Sequence, residues 1–281
     1  MIRLYEDLSF RTSRNITHTY STSFSRAVSF LDSGIRDAIH SIYGFVRLAD
    51  EIVDTFHDYD KNYLLDRFEK DYYDAMGKGI SLNPALNSFV ITVKKYKIPD
   101  ELIRAFLRSM KLDLYKSDHA TKEETSEYIY GSAEVVGLMC LKVFTDGNEK
   151  LYNELIEPAR RLGAAFQKVN FLRDIKNDTE NLNRRYFHNM TARELNENVK
   201  KEIIKEIEGD FEASKAGIKK LPSNSRLGVL IAYYYYKRLL IKIKHTRAEK
   251  LLESRIRVPD FNKLLLLIKA WLINKLKPAQ N

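Results

Sequence analysis

Two rows of acids, each spaced for one face of a helix and each set in apolar sequence, restrict this chain to folds that bring helix faces together. The first row is Asp50 and Asp54, inside the stretch from Tyr43 to Asp54. The second is Gln167, Asn170, Asp174 and Asp178, stepping by three, four and four residues. Residues so spaced lie one above another on a helix, so each row points its oxygens one way. Carboxylates among Ile, Val, Leu and Phe are costly unless paired or bound to a cation. Hard oxygen donors of this kind suit Mg²⁺, which keeps some waters and completes its shell with substrate phosphates. Two such rows facing each other would hold a diphosphate through bridging metals. The plainer alternatives are a solvated face for Asp50 and Asp54, and ion pairs from Asp174 and Asp178 to Arg173, Lys176 or Arg184.

The surroundings weigh against a solvated face. Ile42, Phe45, Val46, Ala49, Ile52 and Val53 cover most of the circumference, which predicts a buried helix over 35–54 with a polar seam inside a bundle. Arg47 lies one turn before Asp50, so it can pair with that carboxylate or reach a phosphate on the same seam. Glu51 points about 100° away and reads as secondary. Between Leu162 and Phe166 the small residues Gly163, Ala164 and Ala165 allow close helix packing. Tyrosines number 17, with Tyr43, Tyr128, Tyr130 and Tyr233 to Tyr236 in suggestive places. Aromatic faces stabilise positive charge, although core packing is the simpler role for any single one.

Helical patterning runs nearly throughout, and sparse Gly (11) and Pro (6) agree with it. Asn83-Pro84 and Ile98-Pro99-Asp100 read as helix boundaries. Residues 100–115 and 122–145 keep helical period. Pro158 fits the first turn of a helix running to about Asp178, with Asn177 to Arg185 as its exit loop. Residues 191–220, rich in Glu and Lys, read as exposed helix. Pro222-Ser-Asn-Ser reads as a break and cap before the helix carrying Tyr233 to Tyr236, and Pro259-Asp260 opens a last amphipathic helix. No repeat or linker divides residues 1–281, which predicts a single all-α domain.

The remaining features mostly exclude. One cysteine, Cys140, rules out an internal disulfide framework and fits a reducing compartment. The N-terminus lacks the apolar stretch of a signal peptide, and the run Leu264 to Ile273, broken by Lys269, is too short to span a bilayer. The expected location is the cytoplasm, free or at a membrane surface. From Lys237 onward stand twelve Lys/Arg against three Asp/Glu, an excess equal to the whole net charge of +9. That basic region suits an anionic membrane, nucleic acid or a phosphorylated substrate, and Leu264 to Leu267 with Trp271 would either rest on a bilayer or pack on the bundle. A purely nucleic-acid-binding helical module would explain the charge but not matched acids on two helices. The chain has no H-E-x-x-H, G-x-S-x-G, P-loop or G-x-G-x-x-G pattern.

At this point four segments, in order and spacing, resemble the squalene/phytoene synthase family. Ser21-Thr22-Ser23-Phe24-Ser25 is similar to its serine-rich opening motif. Tyr43 to Asp54 is similar to its first D-x-x-x-D helix, and Tyr128 to Met139 to its Y-x-Y-x-V-A-G-x-V-G segment. Gln167 to Asp178, with Arg184-Arg185-Tyr186 after it, is similar to the second aspartate motif. The resemblance implies an all-α isoprenoid-synthase bundle around a deep apolar cavity and head-to-head (1′–1) condensation of two prenyl diphosphates through a cyclopropylcarbinyl diphosphate. It implies Mg²⁺, or Mn²⁺, held by Asp50, Asp54, Asn170, Asp174 and Asp178. Arg47, Gln167 and Arg173 would contact or orient diphosphate, and Ser21, Phe24, Tyr43, Tyr128 and Tyr236 would line the cavity or face a cation. Geranylgeranyl diphosphate to phytoene is the leading expectation, without NADPH; farnesyl diphosphate to squalene or dehydrosqualene is the runner-up. Nucleic acid is not an expected partner. Three positions depart from the family pattern: Tyr20 where many relatives have histidine, Ser132 for valine and Glu134 for glycine. Arg255, Arg257 and Lys263 align only loosely.

Overall fold

A computed structural model describes residues 2–115, 121–180 (177–180 by backbone alone), 195–256, 270 and 274. Among them every regular element is helical, as the patterning predicts. The first five helices make a tight half-shell. α1 (Ile2–Tyr20) lies against α3 (Ser33–Asp54) and α5 (Pro84–Tyr96) through small polar residues rather than large apolar ones. Ser13 and Ser88 share a 2.8 Å hydroxyl bond, and Ser41 and Thr92 one of 2.6 Å. Gly44 makes this possible, because a Cβ there would stand 2.8 Å from Ser13 Oγ. Short α2 (Thr22–Val28) is capped by Ser21, which accepts the Phe24 amide at 3.2 Å.

α3 is buried on most of its surface, as its apolar circumference demands. Phe45 stacks on Phe89 at 4.0 Å, with Phe68, Tyr72 and Phe106 around it. α4 (Lys61–Lys78) and α6 (Asp100–Tyr115) close this core. Asn83 caps α5 ahead of Pro84, the boundary its dipeptide predicts.

The stretch 122–145 is not one regular helix. α7 (Lys122–Ile129) passes through a π-helical turn, Tyr130–Glu134, into α8 (Val135–Thr145). Glycine on either side lets neighbours press on the turn. A Cβ at Gly131 would meet Ser109 Cβ at 2.7 Å, and one at Gly163 would meet the Ala133 carbonyl at 3.0 Å. Such turns concentrate at functional sites, and periodicity does not reveal them, because one extra residue barely disturbs the apolar pattern.

α9 (Glu149–Glu180) corrects one expectation. Pro158 lies inside it rather than in its first turn; its far end, expected at about Asp178, falls within two residues of that. Proline in a helix interior removes a hydrogen bond and is costly, yet here tertiary packing outweighs it. Gly217 of α10 (Glu197–Lys220) lies under the proline ring, where a Cβ would approach Pro158 Cβ to 2.3 Å. Lys168 donates to Asp210 at 2.8 Å, and Arg161 reaches the same buried carboxylate at 3.3 Å. α10 is therefore not simply exposed: Ile203, Ile204, Ile207, Phe211 and Ile218 are buried against the bundle. Its charged positions had dominated the sequence reading.

α11 (Ser223–Lys244) carries the four tyrosines in helical form. Pro222 precedes it without a side-chain cap, and Asn224 instead donates to the Phe144 carbonyl at 3.2 Å. α12 (Ala248–Glu253) packs on α9. Ala270 is fully buried in a cluster with Ala27 and Ile231, and buried Arg226 donates to Asn274 at 2.8 Å. At these two positions the chain packs on the bundle. Arg184, Arg185, Tyr186, Arg257, Pro259, Lys263, Leu264 to Leu267 and Trp271 lie outside the described residues. No helix among the described residues is long and apolar enough to cross a membrane.

Candidate active site

Three neighbouring helices keep a half-open face in the middle of the bundle. On α3 the face is Tyr43, Val46, Arg47, Asp50 and Asp54; on α8 it is Val136, Gly137, Cys140 and Phe144; on α9 it is Gly163, Phe166, Gln167, Asn170, Arg173 and Asp174. Each set recurs at helical period, and faces of this kind are where a helical bundle would hold a cleft. Cys140 retains some accessible surface, and burial pushes its thiol up to about 12. A separate groove of about 510 Å³ lies between α9 and α10, beside Glu157, Arg161 and Asp210, and contains none of the candidate residues.

One end of the cleft is ionic. Arg47 donates through Nη2 to Glu51, its neighbour one turn on. Glu51 is 6% exposed, so it is a buried partner of the seam rather than the secondary residue its position suggested. The signal was available, since Arg47 and Glu51 are an i,i+4 pair. Arg47 Nε is buried and makes no hydrogen bond. The Arg47 guanidinium also lies over the Tyr20 ring, 4.4 Å from its centroid. On α9, Arg173 grips Asp174 through Nε at 3.0 and 3.1 Å, and Arg255 Nε holds the other side at 2.6 Å. Burial lowers the Arg173 guanidinium, but bonding and charge pairing with Asp174 outweigh it and raise it overall. The sequence gives Arg255 little weight because it aligns only loosely with the family pattern.

Tyrosines join the two rows. Burial pushes Tyr43 up to about 12; Arg47 opposes this, Asp50 adds to it, and a hydrogen bond to Ser21 and the nearby Tyr236 also bear on it. Tyr236 is likewise raised, first by burial, with Arg173, Asn170 and Asp174 within its field. Its hydroxyl donates to Asn170 Oδ1 at 3.3 Å. Phe24 stacks on Tyr43 at 4.9 Å, and Phe166 on Tyr236 at 4.0 Å. The structure therefore gathers Ser21, Phe24, Tyr43, Arg47, Asn170, Arg173, Asp174 and Tyr236 around one region, with Asp50 coupled to it through Tyr43. Gln167 sits half-buried on the same α9 face. The Tyr128 hydroxyl donates to Asp113 at 2.9 Å, and its ring stacks at 6.0 Å on Phe171, the residue after Asn170. The Asp178 side chain lies outside the described residues.

Of the departures, Glu134 accepts from Arg160 Nε at 2.6 Å, and burial raises its carboxyl while that arginine opposes the rise. Ser132 Oγ is buried without a hydrogen-bond partner. Among the described residues no three carboxylate, histidine or cysteine side chains converge as a metal site. Mg²⁺ does not require such a convergence, since it is commonly held by one or two carboxylates with water and phosphate oxygens. The unmet Arg47 donor and the paired arginines on Asp174 fit an anion that would take them up.

The family model described as squalene/phytoene synthase matches residues 17–262. A 15-cis-phytoene synthase of Synechocystis sp. is 28% identical, over 92% of this chain and 83% of its own. A 4,4′-diapophytoene synthase of Staphylococcus haemolyticus is 26% identical, over 67% of this chain and 65% of its own. The solved structure of a dehydrosqualene synthase in complex with ligand superposes with a TM-score of 0.84 at 21% identity, covering 96% and 98% of the two chains. That likeness establishes an isoprenoid-synthase-type helical fold.

Proposed function

The chain belongs to the squalene/phytoene synthase family of prenyltransferases, which condense two prenyl diphosphates head to head, and on that premise we propose that this one converts two geranylgeranyl diphosphates to phytoene. The observation that carries the choice of substrate is the likeness to the Synechocystis 15-cis-phytoene synthase over 92% of the chain. Residues 1–281 act as one domain. Asp50, Asp54, Asn170, Asp174 and Asp178 would hold Mg²⁺ or Mn²⁺, which, when bound, would neutralise diphosphate and make it a better leaving group.

The chain's own groups do the rest. Arg47, Arg173 and Gln167 bind and orient the departing diphosphate, where fixed donors act on charge as it develops. The cleft walls exclude water from the allylic cation. The π faces of Tyr43 and Tyr236, backed by Phe24 and Phe166, lie on the cation side. Tyr128, tied to Asp113, supports the wall around the π-helical turn. Loss of a proton completes phytoene, so no NADPH is needed.

The farnesyl reading is favoured by one observation, the likeness to the 4,4′-diapophytoene synthase of Staphylococcus haemolyticus over 67% of the chain. The deciding experiment is product analysis with C15 and C20 donors in Mg²⁺ with and without NADPH. A C40 hydrocarbon from the C20 donor alone supports the proposal. A C30 product formed faster from the C15 donor replaces it with the second reading.

A further inference from the structure

Arg47 is held at two points and left unmet at a third. Its Nη2 donates to buried Glu51, its Cζ lies 4.4 Å over the Tyr20 ring, and its Nε is buried with no acceptor. A guanidinium is a rigid planar fork, so a carboxylate at one end and a ring against its face fix both the position and the tilt of the plane. Tyr20 is the last residue of α1 and adjoins Ser21, the residue that caps α2 and hydrogen-bonds Tyr43. The ring is therefore anchored at the joint between two helices. Tyr20 is 46% exposed, so burial does not account for an aromatic residue there, whereas a stacked cation does.

We propose that Tyr20 is a positioning residue for diphosphate: with Glu51 it sets the plane of Arg47 and keeps the unmet Nε edge available to a diphosphate oxygen on the seam shared with Asp50. This rests on the prenyltransferase reading above. It assigns Tyr20 no contact with the reacting atoms and makes its effect depend on Arg47.

The test is calorimetric titration of inorganic pyrophosphate with Mg²⁺ into the full chain and its Tyr20→Phe, Tyr20→Leu and Tyr20→Gln variants, each also in an Arg47→Lys background. Loss of the ring in Y20L and Y20Q is expected to weaken pyrophosphate binding about 3- to 30-fold, with Y20F rescuing it to within about twofold. In the Arg47→Lys background the same replacements are expected to change binding less than about twofold, since lysine lacks the planar fork. KM for the prenyl diphosphate should rise with pyrophosphate Kd. A loss in Y20F equal to that in Y20L overturns the stacking role in favour of the hydroxyl. Equal losses with and without Arg47 show that Tyr20 does not act through it. Unchanged binding in both Y20L and Y20Q overturns the proposal outright. If the unaltered protein neither binds Mg²⁺–pyrophosphate nor releases diphosphate from prenyl donors, the underlying reading fails with it.

Discussion

Arg255 Nε stands 2.6 Å from Asp174 Oδ1, on a carboxylate that Arg173 already grips. Asp174 therefore carries two guanidinium partners, and a metal ion must displace at least part of that shell. Displacement is easier when phosphate oxygens accept the freed arginines. Mn²⁺ binding, followed by electron paramagnetic resonance, is expected to tighten about tenfold or more when pyrophosphate is present. Arg255→Ala should raise Mn²⁺ affinity without pyrophosphate. Equal affinity in both conditions would remove the arginines from the account.

Asp50→Asn and Asp174→Asn keep the side-chain shape and remove the charge. Each is expected to cut diphosphate release by about 100-fold or more, within the range assigned to lost electrostatic stabilisation. EDTA should abolish release in the unaltered enzyme, and Mg²⁺ or Mn²⁺ should restore it. Turnover retained by both variants would sink the metal assignment.

Tyr236 offers two separable contacts. Tyr236→Phe loses a long 3.3 Å bond to Asn170 but keeps the 4.0 Å stack on Phe166, so a change in kcat of only a few-fold is expected, in line with about 1 kcal/mol for one hydrogen bond. Tyr236→Ala removes the ring as well and should cost about 3–5 kcal/mol of stability by analogy with other aromatic truncations. Product profiling of Tyr236→Ala should show water-quenched alcohols, because the opened wall admits solvent. Clean hydrocarbon product from Tyr236→Ala would argue that the ring does not shield the cation.

Gly217→Ala places a Cβ 2.3 Å from Pro158 Cβ. The overpacking should cost about 1–3 kcal/mol, read as a lower midpoint in thermal or urea unfolding. Activity at low temperature should survive, because neither residue belongs to the cleft. A melting curve indistinguishable from the parent would mean that α10 yields freely at that crossing.

His40 gives a pH signature. Burial first, then the nearby His18, lowers its pKa to about 4 from 6.5, while Asp37 opposes the shift. The folded protein thus binds this proton less readily than the unfolded chain. Its stability is intact above pH 6.5 and is lost as the pH falls toward about 4. By pH 5 the loss should be about 2 kcal/mol. Thermal melts between pH 7 and 5 should fall for the parent and flatten for His40→Leu; parallel slopes would exclude His40 as the source.

What the sequence showed and hid follows from the kind of force involved. The buried helix around Asp50 was legible because apolar residues occupy nearly its whole circumference, and the Asn83-Pro84 boundary because capping is local chemistry. Pro158 was misread because a local penalty pointed to a helix start, whereas the deciding contact lies at Gly217, 59 residues on. The π-helical turn left no trace in the apolar period. Arg255 aligns only loosely with the family pattern, and its ion pair to Asp174 has no sequence spacing that would reveal it. Glu51 was within reach, since its partner stands four residues before it, but attention to the aspartates' face turned the reading away from it.

The hydroxyl seam joining α1, α3 and α5 has an implication for how such a protein tolerates change. With Gly44 bringing two helices almost to backbone contact, Tyr43 and its neighbours on α3 inherit their placement from the main chain itself, not from adaptable side chains. The ionic end is thereby insulated from drift elsewhere, so substitutions in the apolar core can accumulate without moving the charged groups.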